Sequence, residues 1–132
     1  MKYKAEIEID IPKEELIKIY SKDILKWHNS IKKHELIEGE VGKVNAKYHI
    51  IMEQNGQMTE FDITIIKIVG DNEWWIESIK ENEFKMLKKL SFHTIGTNKT
   101  KVIEDYEFEL IAFKQDVNKN LNAFKQFAED KI

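Results

Sequence analysis

KYKAEIEIDIPKEELIKIYSKDILKWHNSI, residues 2–31, changes its hydrophobic period at a single proline. Before Pro12 the period is two. Tyr3, Ala5, Ile7, Ile9 and Ile11 fall on one face, and Lys2, Lys4, Glu6, Glu8 and Asp10 on the other. That alternation predicts a half-buried strand. Pro12 ends it, because proline cannot donate to a ladder but starts a helix well. After it, Leu16, Ile17 and Tyr20 share a helical face, with Glu14 and Glu15 in the first turn, where the helix dipole favours acid. Asp23 then caps a second short helix, predicted from Ile24 to about Ile31. Ile24, Trp27, His28 and Ile31 lie at i, i+3, i+4 and i+7, which puts Trp27 and His28 on its buried edge.

Beyond this stretch the period returns to two. HELIE, residues 34–38, reads as a short strand, and Gly39 and Gly42 bracket a turn. Val44 to Met52 alternate, Asn55-Gly56 is a hairpin signal, and Thr59 to Ile68 form the partner strand with Phe61, Ile63 and Ile65 on one face. Gly70-Asp71-Asn72 turns the chain into residues 73–80, where Trp74, Ile76 and Ser78 oppose Glu73, Trp75 and Glu77. Further strands are predicted from Phe84 to Thr94 and from Lys101 to Ala112, joined by a turn at Gly96-Thr97-Asn98. The last twenty residues switch period again. Phe113, Val117, Leu121, Phe124 and Ala128, with Phe127 beside them, form the stripe of an amphipathic helix of about four or five turns.

The order is strand, two short helices, six strands joined by tight turns, and one long helix. Hairpin links make the sheet antiparallel. Its apolar face needs a cover, and the terminal helix is the element large enough to supply it. The expected fold is therefore α+β: a curved, antiparallel, seven-stranded sheet wrapped around a long C-terminal helix, with two short helices after strand 1. At 132 residues the chain fits a single domain spanning 1–132, long enough to bury a core without staples. A gap between a curved sheet and one helix is a natural pocket.

Composition narrows the chemistry. There is no cysteine, which removes disulfides, thiolate metal sites and cysteine nucleophiles. All 21 basic residues are lysine, so the bidentate forks of arginine are absent. With net charge −3 and a pI near 5.8, nucleic acid is not an expected partner. The N-terminus alternates charged and apolar residues, which is neither a leader nor a membrane span, and the apolar runs are too short for stable membrane insertion. A cytoplasmic protein is expected. His28, His34, His49 and His93 show no metal-ligand spacing, no glycine-rich phosphate loop is present, and no serine sits in a nucleophile elbow. No metal, no cofactor and no catalytic residue is assigned.

Four motifs in this order resemble the SRPBCC superfamily, the START-like or helix-grip proteins, and within it the polyketide cyclase/dehydrase and lipid-transport branch. IEIDIPKEELIKIYSKDILKWHNSI, residues 7–31, resembles the family's first strand, proline, helix and Trp-His helix. GEVGKVNAKYHI, residues 39–50, is similar to its glycine turn and next strand, MTEFDITIIKIVGDNEWWIES, residues 58–78, to its strand pair, and DVNKNLNAFKQFAED, residues 116–130, to its terminal helix. The resemblance covers essentially the whole chain. It implies a cavity between sheet and helix, with Trp27 and His28 on the short helix that closes one end. Many members carry a longer insertion before the terminal helix; here only a few residues separate Leu110 from Asp116, which implies a more open mouth or a smaller pocket.

The candidate ligand-binding residues are Trp27, His28, Tyr48, Phe61, Trp74, Met86, Lys88, Tyr106, Phe108, Leu121 and Phe124. Aromatic and apolar members read equally as core or as ligand wall. His28 reads as a helix-end histidine bonded to backbone or as a polar rim group. Lys88 shares an inward face with Phe84, Met86, Leu90 and Phe92 if its strand runs straight, and would meet a ligand carboxylate; a bulge at Lys88-Lys89 would turn it outward. The hydroxyls of Tyr48 and Tyr106, and of Ser78 more weakly, would orient a polar ligand group or bond locally. Glu6, Glu8 and Asp10, and Glu104, Asp105, Glu107 and Glu109, read as solvated strand faces. The expected function is binding of a small hydrophobic or amphipathic molecule, as carrier or sensor. Two alternatives stand beside it: a cyclase/dehydratase-type enzyme using the same cavity, and a co-chaperone-like interaction module.

Overall fold

The computed structural model describes residues 2–80, 83–108 and 114–131, with residues 114–119 described by backbone alone. Seven strands and three helices follow in the order β1 (Lys2–Ile9), α1 (Lys13–Lys22), α2 (Ile24–Trp27), β2 (Ile31–Glu38), β3 (Lys47–Gln54), β4 (Gln57–Val69), β5 (Glu73–Lys80), β6 (Phe84–Gly96), β7 (Lys99–Phe108) and α3 (Lys114–Lys131). The strands make one antiparallel sheet in the order β1-β7-β6-β5-β4-β3-β2. β2 to β7 are consecutive hairpins, whereas β1 and β2 occupy opposite edges and α1 and α2 carry the chain between them. The sheet curves around α3, the helix-grip arrangement expected from the sequence.

Strand parity explains the inner face. In β1, Ala5 and Ile9 are buried while Lys4, Glu6 and Glu8 alternate with them. The register carries that face across the sheet: Ile7 pairs with Val102, Val102 with Phe92, and Trp74 with Leu90. Over it, α3 packs on β1 and touches α1 and α2. Its stripe of Leu121, Phe124 and Ala128 is fully buried. Burial of side chains the size of Leu121 or Phe124 contributes about 1.5–3 kcal/mol each.

The core has two parts. The larger joins β1, β6 and β7 to the three helices, through residues such as Leu16, Phe92, Val102 and Phe124. The smaller joins β3 and β4 through Ala46, Tyr48, Ile50 and Ile65. Ile31 and Trp74 pack against both.

Several boundaries differ from the sequence reading, two of them beside the inner wall. α2 ends at Trp27, not Ile31, because the His28 backbone turns extended (φ −81, ψ 119) and Ile31 instead opens β2. β3 begins at Lys47, not Val44. Asn45 adopts φ 73 and donates its N–H to the Ile65 carbonyl at 2.8 Å, a left-handed conformation that Asn tolerates. β7 is described to Phe108; the predicted extension to Ala112, and Phe113 of the helical stripe, lie outside the described residues, as does the side chain of Val117.

Candidate functional site

The inner wall carries one charged cluster. β6 runs in unbroken register with β5 and with β7 from Met86 through Thr94, so no bulge interrupts it at Lys88. Lys88 therefore faces inward, paired with Ile76 on one side and Tyr106 on the other. One pair further along the same face, Glu104 lies opposite Leu90 and Ala5. The sequence reading grouped Glu104 with a solvated acidic row; the structure corrects this, for its side chain is only 3% exposed. Parity held the signal. Glu104 is an even-numbered neighbour of Tyr106 and Phe108 in the strand, and Asp105 and Glu107 are not.

A buried carboxylate needs donors. Glu104 has three around it. The Tyr20 hydroxyl, from α1, donates to Oε2 at 2.6 Å. The Tyr106 hydroxyl donates to Oε1 at 3.1 Å. The Lys88 ammonium stands 3.5 Å from Oε2. Having given its proton to Glu104, the Tyr20 oxygen accepts from Lys88 Nζ at 3.1 Å. Burial, and after it the Glu104 charge, holds both phenols well above their ordinary pKa, so both remain donors. Tyr20 was legible as a buried helix residue; its hydroxyl's partner, on a strand far along the chain, was not.

Trp27 and His28 divide between structure and rim. Trp27 is buried, donates Nε1–H to the Tyr20 carbonyl at 2.9 Å, and packs its ring on Tyr20 and Phe124 at centroid distances of 5.0 and 4.9 Å. His28 caps the end of α2. Its Nδ1 accepts the N–H groups of Ser30 and Ile31 at 3.2 and 3.3 Å, which turns the chain into β2 and leaves the ring proton on Nε2. Burial, then the Lys88 charge, pushes its pKa down to about 3. His34, which sequence spacing singled out for nothing, shifts downward for the same two reasons in the same order. Its ring stacks on Tyr48 with centroids 4.5 Å apart. The Tyr48 hydroxyl in turn accepts the Gly42 N–H at 3.1 Å, fastening the β2–β3 loop across this end of the inner face.

The remaining candidates fall into two groups. Phe108, Leu121 and Phe124 lie in the larger core with Trp27 and Tyr106, all fully buried. Phe61, Trp74 and Met86 are half-buried, with Ile63 and Ile76 beside them, on the inner face of β4, β5 and β6. Lys88 and His28 are half-buried with them. These inward apolar side chains lie away from the strand that α3 covers, and they are less buried than those under the helix. They form a half-buried apolar face. A depression of about 230 Å³ is lined by Lys2, Tyr3, Lys4, Leu87, Lys89, Asp105, Tyr106 and Glu107; all but Tyr3 and Tyr106 have outward parity, and they include the Lys2–Glu107 ion pair.

Among the described residues no three His, Asp or Glu groups come together as a metal site. His49 lies on the outer face, 2.9 Å from Asp62 and 3.4 Å from Glu60. No described helix is long and apolar enough to cross a membrane.

Family models and curated proteins give no match to this chain. Solved structures do match its fold. A START superfamily protein from Mycobacterium smegmatis superposes with a TM-score of 0.79 at 16% identity, covering 99% of each chain. Major latex-like protein 151 from Panax ginseng gives 0.77 at 15% identity, covering 99% of this chain and 96% of its own. Norcoclaurine synthase from Thalictrum flavum, solved in complex with dopamine and hydroxybenzaldehyde, gives 0.75 at 11% identity, covering 100% of this chain and 88% of its own. The chain has the START-like helix-grip fold; at these identities the likeness concerns the fold.

Proposed function

We propose that this protein binds a small hydrophobic or amphipathic molecule between the sheet and α3, as a carrier or sensor. The observation that carries the reading is the half-buried apolar wall of Phe61, Ile63, Trp74, Ile76 and Met86, inward in parity and packed against the two core clusters yet only partly buried. An apolar wall with a few convergent polar groups is the usual makeup of a small-molecule site. Trp27, Tyr48, Tyr106, Phe108, Leu121 and Phe124 set the shape of this space, and Lys88 and His28 supply its polar points. Native mass spectrometry of freshly purified protein, with organic extraction, tests the reading. A discrete co-purifying mass is the expected result. An empty protein that also fails to take up the neutral apolar dye Nile red would overturn it.

The second reading, a cyclase/dehydratase-type enzyme acting in the same space, draws on the convergence of Lys88 and Glu104. Proton transfer needs groups that can exchange protons with a substrate. Glu104 is enclosed by its donors, which leaves Lys88 and the Nε2–H of His28 for that role. Turnover of a hydrophobic polyketide-like substrate that is lost in Lys88→Met would favour this reading over simple binding.

A further inference from the structure

We infer that the ligand is an amphipathic monocarboxylic acid, its carboxylate seated on Lys88 and its apolar body along the β4–β6 wall. This rests on the binding reading above and assigns its head group.

The polar side chains on this part of the inner face are Lys88, Glu104, Tyr106 and Ser78. Lys88 Nζ is the cation among them. Its nearest partner is not an anion but the neutral Tyr20 oxygen, at 3.1 Å; the Glu104 carboxylate is 3.5 Å away, beyond ordinary hydrogen-bond length. Glu104 takes its close bonds from the two phenols, at 2.6 and 3.1 Å. The ammonium has three N–H groups, and among the described residues Tyr20 supplies its one close acceptor. Lys88 is thus held by Tyr20 at hydrogen-bond distance and paired with Glu104 at 3.5 Å, with its side chain 18% exposed. His28 adds a second donor. With Nδ1 accepting two backbone N–H groups, the ring keeps its proton on Nε2, within electrostatic reach of Lys88. Tyr48, whose oxygen accepts from Gly42, keeps its own proton to donate. Glu104, the inward carboxylate, is 3% exposed and already takes bonds from both phenols. A half-buried ammonium beside an apolar wall, with a neutral oxygen as its one close acceptor among the described residues, favours an oxygen-rich anionic head over an amine or an alcohol. One carboxylate suffices, because Lys88 is the single cation on this part of the inner face of β6 and β7.

The test is displacement of Nile red at neutral pH by decanoate and by 1-decanol, which share a chain and differ in the head. Decanoate is expected to bind about tenfold tighter, the margin of a charge-assisted over a neutral hydrogen bond. The margin should vanish in Lys88→Met. Because that variant strands Glu104, the paired variant Lys88→Gln/Glu104→Gln, checked for native circular dichroism, carries the same expectation. Glu104→Gln alone should tighten decanoate several-fold and leave decanol unchanged, since it removes the competing anion; a residue that merely held the fold would not separate the two probes. If Nile red binds but decanoate and decanol displace it equally, the head-group assignment is wrong and the pocket stands. If none of the three binds, the pocket reading fails and this one with it.

Discussion

Tyr20→Phe removes one oxygen from the centre of the charged cluster and leaves the packing around it. The ring contacts, with centroids 5.0 Å from Trp27, 5.9 Å from Phe92 and 5.1 Å from Phe124, survive in phenylalanine. What goes is the 2.6 Å bond to Glu104 and the acceptor that Lys88 uses at 3.1 Å. A hydrogen bond to a charged group contributes about 1.5–3 kcal/mol, and here both oxygen contacts involve charges. Tyr20 is buried, so little solvent screening reduces the figure. We predict a loss of about 2.5 kcal/mol. In urea, with a slope within the usual range of about 1–3 kcal/mol/M, the midpoint should fall by about 0.8–2.5 M at unchanged slope. Tyr106→Phe, which gives up a 3.1 Å bond to the same carboxylate and nothing to Lys88, should cost about half as much. A double-mutant cycle of Tyr20→Phe with Glu104→Gln isolates the pair and should show coupling above about 1 kcal/mol. A loss under about 0.5 kcal/mol for Tyr20→Phe, or additivity in the cycle, would refute the cluster as drawn.

Four further outcomes follow from the same coordinates. Trp27→Ala should cost about 3–5 kcal/mol in urea unfolding, since a buried indole and its 2.9 Å bond to the Tyr20 carbonyl are lost together. Gly39→Ala should destabilise more than Gly42→Ala: both have positive φ, worth about 1–2 kcal/mol each, but a methyl at Gly39 would stand 3.1 Å from Ala46 Cα and Asn45 O, whereas Gly42 faces open space. His28, depressed to about 3 from an unfolded value near 6.5, contributes stability that is complete above pH 6.5 and declines as the pH falls toward 3. The loss should reach at most about 1.4 kcal/mol per pH unit, and His28→Asn, which keeps an acceptor for Ser30 and Ile31, should flatten the profile. Both cluster phenols are raised, so their contribution is complete below pH 10 and falls above it by about 1.4 kcal/mol per unit for each; Tyr20→Phe should remove one phenol's share from an alkaline titration of stability.

Period and parity made most of the fold legible. β1, which ends two residues short of the alternation, the proline entry to α1, the hairpin at Asn55-Gly56 and the Leu121, Phe124 and Ala128 part of the α3 stripe all follow from local spacing. Local spacing failed where a side chain captures backbone. Nothing in the helical pattern of Ile24, Trp27, His28 and Ile31 reveals that His28 Nδ1 takes the next two free N–H groups and turns the chain into a strand. It also yielded to composition at Glu104. A run of acids invites the reading of a solvated face, yet alternation assigns Glu104 inward with Tyr106, and alternation wins because shifting one residue would reverse every side chain of β7.

The missed residues, Glu104 and its partner Tyr20, are polar, and the reason is physical. An apolar side chain is placed by period alone, because any apolar neighbour satisfies it. A buried carboxylate is placed by its donors; Tyr106 lies two residues away on the same strand, but Tyr20 on α1 and Lys88 on β6 are brought to Glu104 only by the fold. Such a cluster is also not what stability requires. Replacing a buried ion pair by apolar groups of similar volume is often neutral or favourable, so the pair is weak evidence of a need for rigidity. Lys88 and Glu104 lie at the junction of a packed core and a half-buried apolar wall. In the proposed reading they do there what leucines could not: they give an otherwise featureless wall a fixed polar point, and with it an orientation for whatever lies along it.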